Sequence, residues 1–186
     1  MRVISGTAKG TKLNSIDSIL TRPTLDRVKE SLFNIIQNNI KDSIVLDLFS
    51  GSGSIGIEFL SRDAKQAYFC DISHQAINMI NQNLEKTKLK EKSVILNCDY
   101  KKALKQLKQN NIQFDIIYID PPYKKNIGTD ATEFIITNNM LSDDGLIIIE
   151  TDEEEREINT LKQIDVDIKD IRKYGRVSLI FLSRKG

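Results

Sequence analysis

The residues best suited to chemistry in this chain are Asp120-Pro121-Pro122-Tyr123, which follow the apolar run 116–119. The run is typical of a β-strand, and the prolines end it because proline has no N–H to donate to a sheet. The loop then presents a carboxylate, the carbonyl of Pro121 and an aromatic ring. Two acceptors can hold the protons of an exocyclic amine and turn its lone pair toward an electrophile, while the ring stacks on the base. The alternative is a plain turn at the end of a strand.

A glycine-rich loop, Gly51-Ser52-Gly53-Ser54-Ile55-Gly56, lies between the strand-like run 44–49 and an apolar-periodic segment. This order of strand, glycine turn and helix matches the dinucleotide-binding pattern G-x-G-x-x-G. Asp71 follows Gly51 by 20 residues, the place of an acid that binds ribose hydroxyls. The glycines alone could serve only a tight strand-to-helix turn. Together with the acid they favour a nucleoside cofactor.

Two further acids distinguish a methyl donor from a nicotinamide. Asp47 lies inside the first predicted strand, where a carboxylate is costly to bury unless it accepts hydrogen bonds from a ligand or from the glycine loop. This position favours a cofactor that carries an ammonium group. Asp99 follows the strand-like run 94–98 and could contact an adenine amino group or equally cap a helix that begins at Tyr100.

These motifs, with the amino-terminal segments Met1-Arg2-Val3-Ile4-Ser5-Gly6 and 22–30, resemble the RsmD family of 16S ribosomal RNA guanine-N2 methyltransferases. The similarity covers nearly the whole chain, and the motifs come in the family's order. The chain departs from the family's pattern at Lys29, often an arginine, and at Ser73, often an acid or amide. Lysine cannot make the bidentate contact of arginine with a phosphate.

The resemblance implies methyl transfer from S-adenosyl-L-methionine to the N2 amine of a guanine in small-subunit ribosomal RNA. Asp120 and Pro121 would orient the amine and Tyr123 would stack the base, which must leave its own stack to enter. Pro122 completes this expected catalytic set. The residues expected to bind the donor are Asp47, Phe49, Gly51, Gly53, Asp71, Ile72, Asp99 and Tyr100. The residues expected to contact RNA are Arg22, Thr24, Arg27, Lys124 and Lys125, of which the two lysines could equally belong to a solvated loop.

Charge is unevenly distributed along the chain, although the formal net charge is only +1. Residues 1–30 carry six basic and three acidic side chains, and the last 15 residues carry five basic side chains and no acid. Acids gather instead at 143–144 and 152–155. Such asymmetry suits a polyanion on one side of the molecule, or it is chance clustering on a solvated surface. The expected partner is small-subunit ribosomal RNA or the assembled small subunit, bound by a monomer.

Several function classes are disfavoured by composition. His74 is the only histidine, and Cys70 and Cys98 each precede a strand-end acid, so no metal-site spacing exists and a histidine-based hydrolase is not expected. The cysteines are predicted to be small buried residues. The amino terminus lacks the pattern of a signal peptide, and no apolar run reaches membrane-spanning length. We therefore expect a cytoplasmic protein without a metal.

The periodicity predicts an α/β, Rossmann-like class I methyltransferase fold: a mostly parallel twisted sheet with helices on both faces and an antiparallel C-terminal hairpin. We expect a single domain, 1–186, in which an amino-terminal hairpin and helix (1–40) extend a catalytic core (41–186). The extension would comprise a hairpin at 1–13 and a helix from Thr24, with Asp26 in its first turn. The apolar face of that helix would contain Val28, Leu32, Ile35 and Ile36.

The core is predicted to alternate strands and helices and to bring the candidate site residues to the carboxyl ends of its strands, where ligands bind in open α/β sheets. A turn is expected at Asp143-Asp144-Gly145. The predicted strands are 44–49, 66–71, 94–98, 115–120, 145–150, 166–174 and 177–182, and the predicted helices are 53–62, 73–87 and 100–110.

Other functions remain open at this point. An oxidoreductase could use the same glycine pattern with NAD, but only 63 residues follow Tyr123, too few for a substrate domain. A non-catalytic RNA-binding ribosome assembly factor is disfavoured by the intact Asp120 to Tyr123 motif. A DNA adenine-N6 or cytosine-N4 methyltransferase could use that motif as well, but the chain lacks a separate target-recognition region of useful size.

Overall fold

The computed structural model describes residues 1–15, 22–122 and 126–186, except for the side chains of residues 22–25. The helices and strands, in chain order, are α1 (Arg22–Ile35), β1 (Ile44–Asp47), α2 (Ser54–Ser61), β2 (Gln66–Asp71), α3 (His74–Thr87), β3 (Ser93–Asn97), α4 (Tyr100–Gln109), β4 (Phe114–Ile119), α5 (Ile127–Thr137), β5 (Leu141–Thr151), α6 (Glu154–Leu161), β6 (Val166–Tyr174) and β7 (Val177–Arg184). None of the described helices is both long enough and apolar enough to span a membrane.

One seven-stranded sheet runs through the molecule in the order β3-β2-β1-β4-β5-β7-β6. Strands β1 to β5 are parallel, and β7 and β6 close the edge as an antiparallel hairpin. The predicted fold class is therefore confirmed. Strand order reverses between β1 and β4, so a crevice is expected outside the carboxyl ends of these two strands.

Two apolar layers cover the sheet, one on each face. Val45 and Tyr118 point into the layer formed with α1, α2 and α3, whereas Leu46 and Ile117 point into the layer formed with α4, α5 and α6. The parallel strands are apolar along their length because both of their faces are covered. A polar side chain within them is for that reason a feature that needs an explanation.

The predicted amino-terminal hairpin is present with short arms: Arg2 and Lys12 form an antiparallel bridge, and Val3 N and Leu13 N donate to the carbonyls of Thr11 and Met1, each at 3.0 Å. The backbone between the arms binds the helix layer. Thr7 N donates to the carbonyl of Ser61 at 2.7 Å. Gly6 has φ +83°, and a Cβ there would lie 1.6 Å from that same carbonyl oxygen, so only glycine fits.

The helix of the extension begins at Arg22 rather than at Thr24, and Asp26 therefore falls beyond its first turn. Its predicted apolar face needs one correction. Val28, Leu32 and Ile36 are buried, but Ile35 is 39% exposed, and Phe33 packs in the core in its place.

The turn predicted at 143–145 is wrong, because these residues lie within β5. Pairing with β4 shifts from Phe114–Leu141 to Ile116–Leu146, so the strand bulges between these pairs and exposes Asp143 and Asp144. Helices α5 and α6 were not predicted. Helix α5 contains Gly128 and three threonines, which are poor helix formers. Packing explains the glycine, because a Cβ on Gly128 would lie 2.6 Å from a carboxylate oxygen of Glu157.

Candidate functional site

The glycine loop joins the end of β1 to the start of α2 at the switch point of the sheet. Gly51 has φ +52°, and Gly53, the N-cap of α2, has φ +77°, both in the left-handed region that favours glycine. Asp71, at the end of β2, accepts hydrogen bonds from Gly51 N and from Ser73 N, each at 2.9 Å. The predicted proximity of the loop and the acid is thus present. Each carboxylate oxygen has a second lone pair for a ligand hydroxyl.

Apolar and aromatic side chains follow the carboxyl ends of β1, β2 and β3. Ile72 follows Asp71 directly and is 70% exposed, which is unusual for a large apolar side chain. The rings of Phe49 and Tyr100 lie 5.4 Å apart, tilted by 45°. These surfaces suit a planar ring such as a nucleobase.

Asp99 caps α4, because its carboxylate accepts a hydrogen bond from Lys101 N at 2.9 Å. The capping interpretation is therefore confirmed, and a contact between Asp99 and an adenine stays a prediction. Ser73 likewise caps α3, with Oγ accepting from Ala76 N, and His74 is the first residue of that helix.

Asp47 is buried at the end of β1, with 2% of its surface exposed. Its carboxylate accepts one hydrogen bond, from Gly56 N at 3.1 Å. Burial, opposed by this bond and reinforced by the charge of Asp71, raises the pKa of Asp47 to about 7. A cation beside the carboxylate would lower that pKa again. The loop, the exposed Ile72 and this carboxylate together fit a nucleoside that carries an ammonium group.

A second group of carboxylates lies at the ends of β4 and β5. Asp120 follows β4 directly and is half-buried. Its pKa is raised well above the ordinary value of 3.8 by burial and by the charges of Glu150, Asp47 and Asp152. Pro121 is buried and Pro122 is exposed. Tyr123, Lys124 and Lys125 lie outside the described residues.

Glu150 was not identified from the sequence. The parallel pair Ile119–Ile149 makes it the neighbour of Asp120 on the adjacent strand. Glu150 is 5% exposed and accepts a hydrogen bond from the hydroxyl of Tyr118. Burial raises its pKa, and the bond from Tyr118 opposes that shift. The signal was present, because Glu150 ends an apolar run just as Asp71 and Asp120 do.

The amino-terminal cations divide into an inner and an outer set. Lys29 is 3% exposed, and its Nζ lies 3.0 Å from Glu58, 3.0 Å from Ser54 Oγ and 3.3 Å from the carbonyl of Arg2. Lys29 is therefore part of the interior of the domain and is not exposed to a phosphate. Arg27 is exposed, and no carboxylate among the described residues pairs with it. The side chains of Arg22 and Thr24 lie outside the description.

Cys70 is buried and Cys98 is half-buried. The Sγ atom of Cys70 lies 3.5 Å from the carbonyl oxygen of Cys98, and burial raises the pKa of the Cys70 thiol. Cys70 matches the prediction of a small buried residue, and Cys98 matches it in part. No three His, Cys, Asp or Glu side chains within residues 1–15, 22–122 and 126–186 are arranged to hold a metal.

Comparisons with known proteins place this chain beside methyltransferases. The family described as Conserved hypothetical protein 95 matches residues 1–183. Ribosomal RNA small subunit methyltransferase D of Haemophilus influenzae is 39% identical over 155 residues, which cover 83% of this chain and 80% of that protein. A Bacillus subtilis protein named YlbH, described as a candidate rRNA methyltransferase, is 35% identical over 186 residues, and the match covers 100% of this chain and 100% of that protein.

Among solved structures, an Escherichia coli protein named yhhF and described as a candidate methyltransferase superimposes with a TM-score of 0.83 at 28% identity. The match covers 100% of this chain and 98% of that one. The likeness therefore includes the amino-terminal extension as well as the sheet.

Proposed function

Because this chain belongs to the RsmD family, the family described as Conserved hypothetical protein 95, we propose that it methylates the N2 amine of a guanine in small-subunit ribosomal RNA. The methyl donor is S-adenosyl-L-methionine. The observation that carries the proposal is the position of Asp120 and Pro121, which follow β4 at the switch point of the sheet, next to β1 and its terminal residue Asp47. We further propose that the chain acts as a single cytoplasmic domain without a metal.

The donor supplies a methyl group on a positively charged sulfur, which leaves as a neutral thioether. In the proposed arrangement Asp47 binds the donor's ammonium group, and the second lone pairs of Asp71 bind its ribose hydroxyls. Ile72, Phe49 and Tyr100 hold the adenine ring. The adenine site is supported by the exposure of Ile72, since a large apolar side chain at a strand end gains from contact with a ring.

The acceptor amine is held by two oxygens, the carboxylate of Asp120 and the carbonyl of Pro121. An amine whose two protons point at these acceptors directs its lone pair at the methyl group, which favours the transition state over the ground state. The nitrogen–carbon bond forms, the carbon–sulfur bond breaks, and the nitrogen's excess proton passes to Asp120. Tyr123 stacks on the base that has left the RNA helix.

The function is tested by transfer of a radiolabelled methyl group to free small-subunit ribosomal RNA, to assembled small subunits and to DNA, followed by mapping of the modified base. We expect N2-methylguanine in one of the two ribosomal substrates. Modified adenine or cytosine in DNA would favour the DNA methyltransferase alternative. Binding of RNA without transfer to any substrate would favour an assembly factor, and calorimetric binding of NAD in place of the donor would favour an oxidoreductase.

Replacing Asp71 with alanine should weaken binding of the donor by one to two orders of magnitude. The carboxylate is expected to accept hydrogen bonds from a ligand and also holds Gly51 N and Ser73 N, and bonds to charged groups contribute roughly 1.5–3 kcal/mol. Calorimetric titration measures the affinity. RNA affinity should stay unchanged, and an unchanged donor affinity would refute the ribose role.

Replacing both Arg22 and Arg27 with alanine should weaken RNA binding with little dependence on sequence. These arginines belong to α1, outside the alternating core, and Arg27 is exposed. The slope of log affinity against log salt should become shallower by about 0.7–0.9 per lost phosphate contact. Donor binding and thermal stability should hardly change.

A matched control for this test is Lys162→Ala, which removes an exposed cation after α6, on the opposite face of the sheet. The control should leave the salt slope as it is. If the double variant and the control have the same salt slope, α1 is not part of the RNA-docking surface.

A further inference from the structure

Glu150 is a buried carboxylate that the proposed mechanism does not use. Its one hydrogen-bond partner among the described residues is the hydroxyl of Tyr118. No lysine or arginine of the described chain forms an ion pair with it, and Asp120, its neighbour on the adjacent strand, carries a charge of the same sign. A buried carboxylate in such surroundings costs stability. Stability alone therefore does not explain why an acid occupies this position.

Glu150 and Asp120 lie at the same edge of the sheet and point to the same face. Ile119 and Ile149 are partners in the parallel ladder, so the next residue on each strand, Asp120 and Glu150, lies side by side at the carboxyl edge. Neighbouring strands are about 4.8 Å apart. Tyr118 and Ile148 point into the apolar layer of α1 to α3, and Asp120 and Glu150, two residues further on, point to the same face. Two acceptors therefore stand next to each other beside the amine site.

The bases that carry an exocyclic amine differ in the ring atom beside it. Guanine presents its N1–H next to the N2 amine, so its Watson–Crick edge offers adjacent donors. Adenine and cytosine present an unprotonated ring nitrogen, an acceptor, next to their amines. An ionised carboxylate accepts hydrogen bonds and has no proton to donate. A second carboxylate beside the amine holder thus fits guanine and opposes the other two bases.

We propose that Glu150 accepts the N1–H of guanine while Asp120 and Pro121 hold the N2 amine, so that the pair of carboxylates selects guanine. Tyr118 is a positioning residue, because its hydroxyl fixes one oxygen of Glu150 and leaves the other for the base. This assignment rests on the proposed function and adds to it the residue that determines the base. A site that hydrogen-bonds a donor group rejects an analogue without that donor strongly, because its own polar group is then left unpaired.

The test compares two bases that share the 2-amino group and differ at N1, which carries a proton only in guanine, and at C6, which carries an oxygen only in guanine. 2-Aminopurine carries the same 2-amino group as guanine, but its N1 has no proton and is an acceptor. RNA fragments with guanosine or 2-aminopurine at the mapped position are methylated by the wild-type protein and by Glu150→Gln. The measured quantity is the ratio of kcat/KM for guanosine to kcat/KM for 2-aminopurine. Each variant is its own control, because general damage lowers both values together.

We expect the wild-type protein to prefer guanosine at least a hundredfold. Glu150→Gln should reduce this preference at least tenfold, since its amide presents a donor as well as an acceptor. Glu150→Ala, which removes the acceptor altogether, should reduce it at least as much. Tyr118→Phe should reduce it by a smaller factor, because Glu150 then loses the bond that orients it.

The matched control is Glu157→Gln, the same substitution at another buried carboxylate, 2% exposed, which accepts a hydrogen bond from Thr129 Oγ1 at 2.9 Å between α5 and α6, on the face of the sheet opposite to Tyr118. It should keep the wild-type preference. If Glu150→Gln or Glu150→Ala binds donor normally and keeps the wild-type ratio, the assignment of Glu150 is overturned while the proposed function stands. If the wild-type protein methylates no guanosine, the proposed function itself fails.

Discussion

Replacing Asp120 with alanine is expected to slow methyl transfer at least a hundredfold while donor affinity changes less than threefold. The carboxylate is proposed to hold the acceptor amine and to take up its proton, and such groups contribute roughly 10²–10⁴ to rate. Donor affinity is proposed to depend instead on Asp47 and Asp71, on β1 and β2. Single-turnover rates with saturating RNA, together with calorimetric titration of the donor, measure the two effects separately.

Asp120→Asn is the informative companion to the alanine variant. Its amide keeps an acceptor oxygen in nearly the same place and cannot take up a proton. A rate between those of the wild-type and alanine proteins would separate orientation of the amine from proton removal. Near-native turnover in Asp120→Ala would exclude the carboxylate from the reaction.

Replacing Asp47 with asparagine should stabilise the donor-free protein at alkaline pH and weaken its binding of the donor at least tenfold. The folded protein holds the Asp47 proton up to pH about 7, whereas the ordinary pKa is 3.8. Because the native state binds more protons than the unfolded chain in this range, the wild-type free energy of unfolding falls as pH rises from about 4 to about 7. Each unit of the shift corresponds to about 1.4 kcal/mol, so the stabilisation is on the order of a few kcal/mol at pH 8.

Denaturant unfolding of the donor-free proteins at several pH values measures this effect. The difference in stability between Asp47→Asn and wild type should shrink toward pH 4, where the unfolded chain keeps the proton as well. Asp63→Asn is the control, because Asp63 is exposed and its left-handed backbone suits asparagine equally. A difference for Asp47→Asn that does not vary with pH would show that the carboxyl is not buried in the way described.

The sheet was predictable because its strands carry their own signals. The apolar runs that form β1, β2 and β4 were each located to within two residues, and the alternation with helices determined that they are parallel. The start of β5 was not predictable in the same way. Asp143, Asp144 and Gly145 have turn character locally, and it is the pairing of Leu141 with Phe114 that keeps them in the strand.

The residues of the candidate site were likewise predictable only in part. The spacing of Gly51 and Asp71 predicted their proximity because a glycine loop and the following strand form one supersecondary unit. The burial of Lys29 against Glu58 was not predictable, because the partners come from different helices and a lysine in an amphipathic segment is usually exposed. Asp99 shows a third case, since the same residue suits a cap and a ligand contact, and the sequence does not distinguish them.

The hydrogen bonds and ion pairs of Glu58 connect the amino-terminal extension to the interior of the catalytic core. This fully buried carboxylate accepts hydrogen bonds from Ile4 N at 2.9 Å and Ser5 N at 3.0 Å, and pairs with Lys29 at 3.0 Å and Arg62 at 2.8 Å. The first residues of the chain and helix α1 thus complete the interior of the domain that follows them. The extension is therefore not an independent module. Removing it would leave the buried charge of Glu58 without two of its hydrogen-bond donors and without Lys29. Moving it onto another domain would leave those backbone donors without an acceptor.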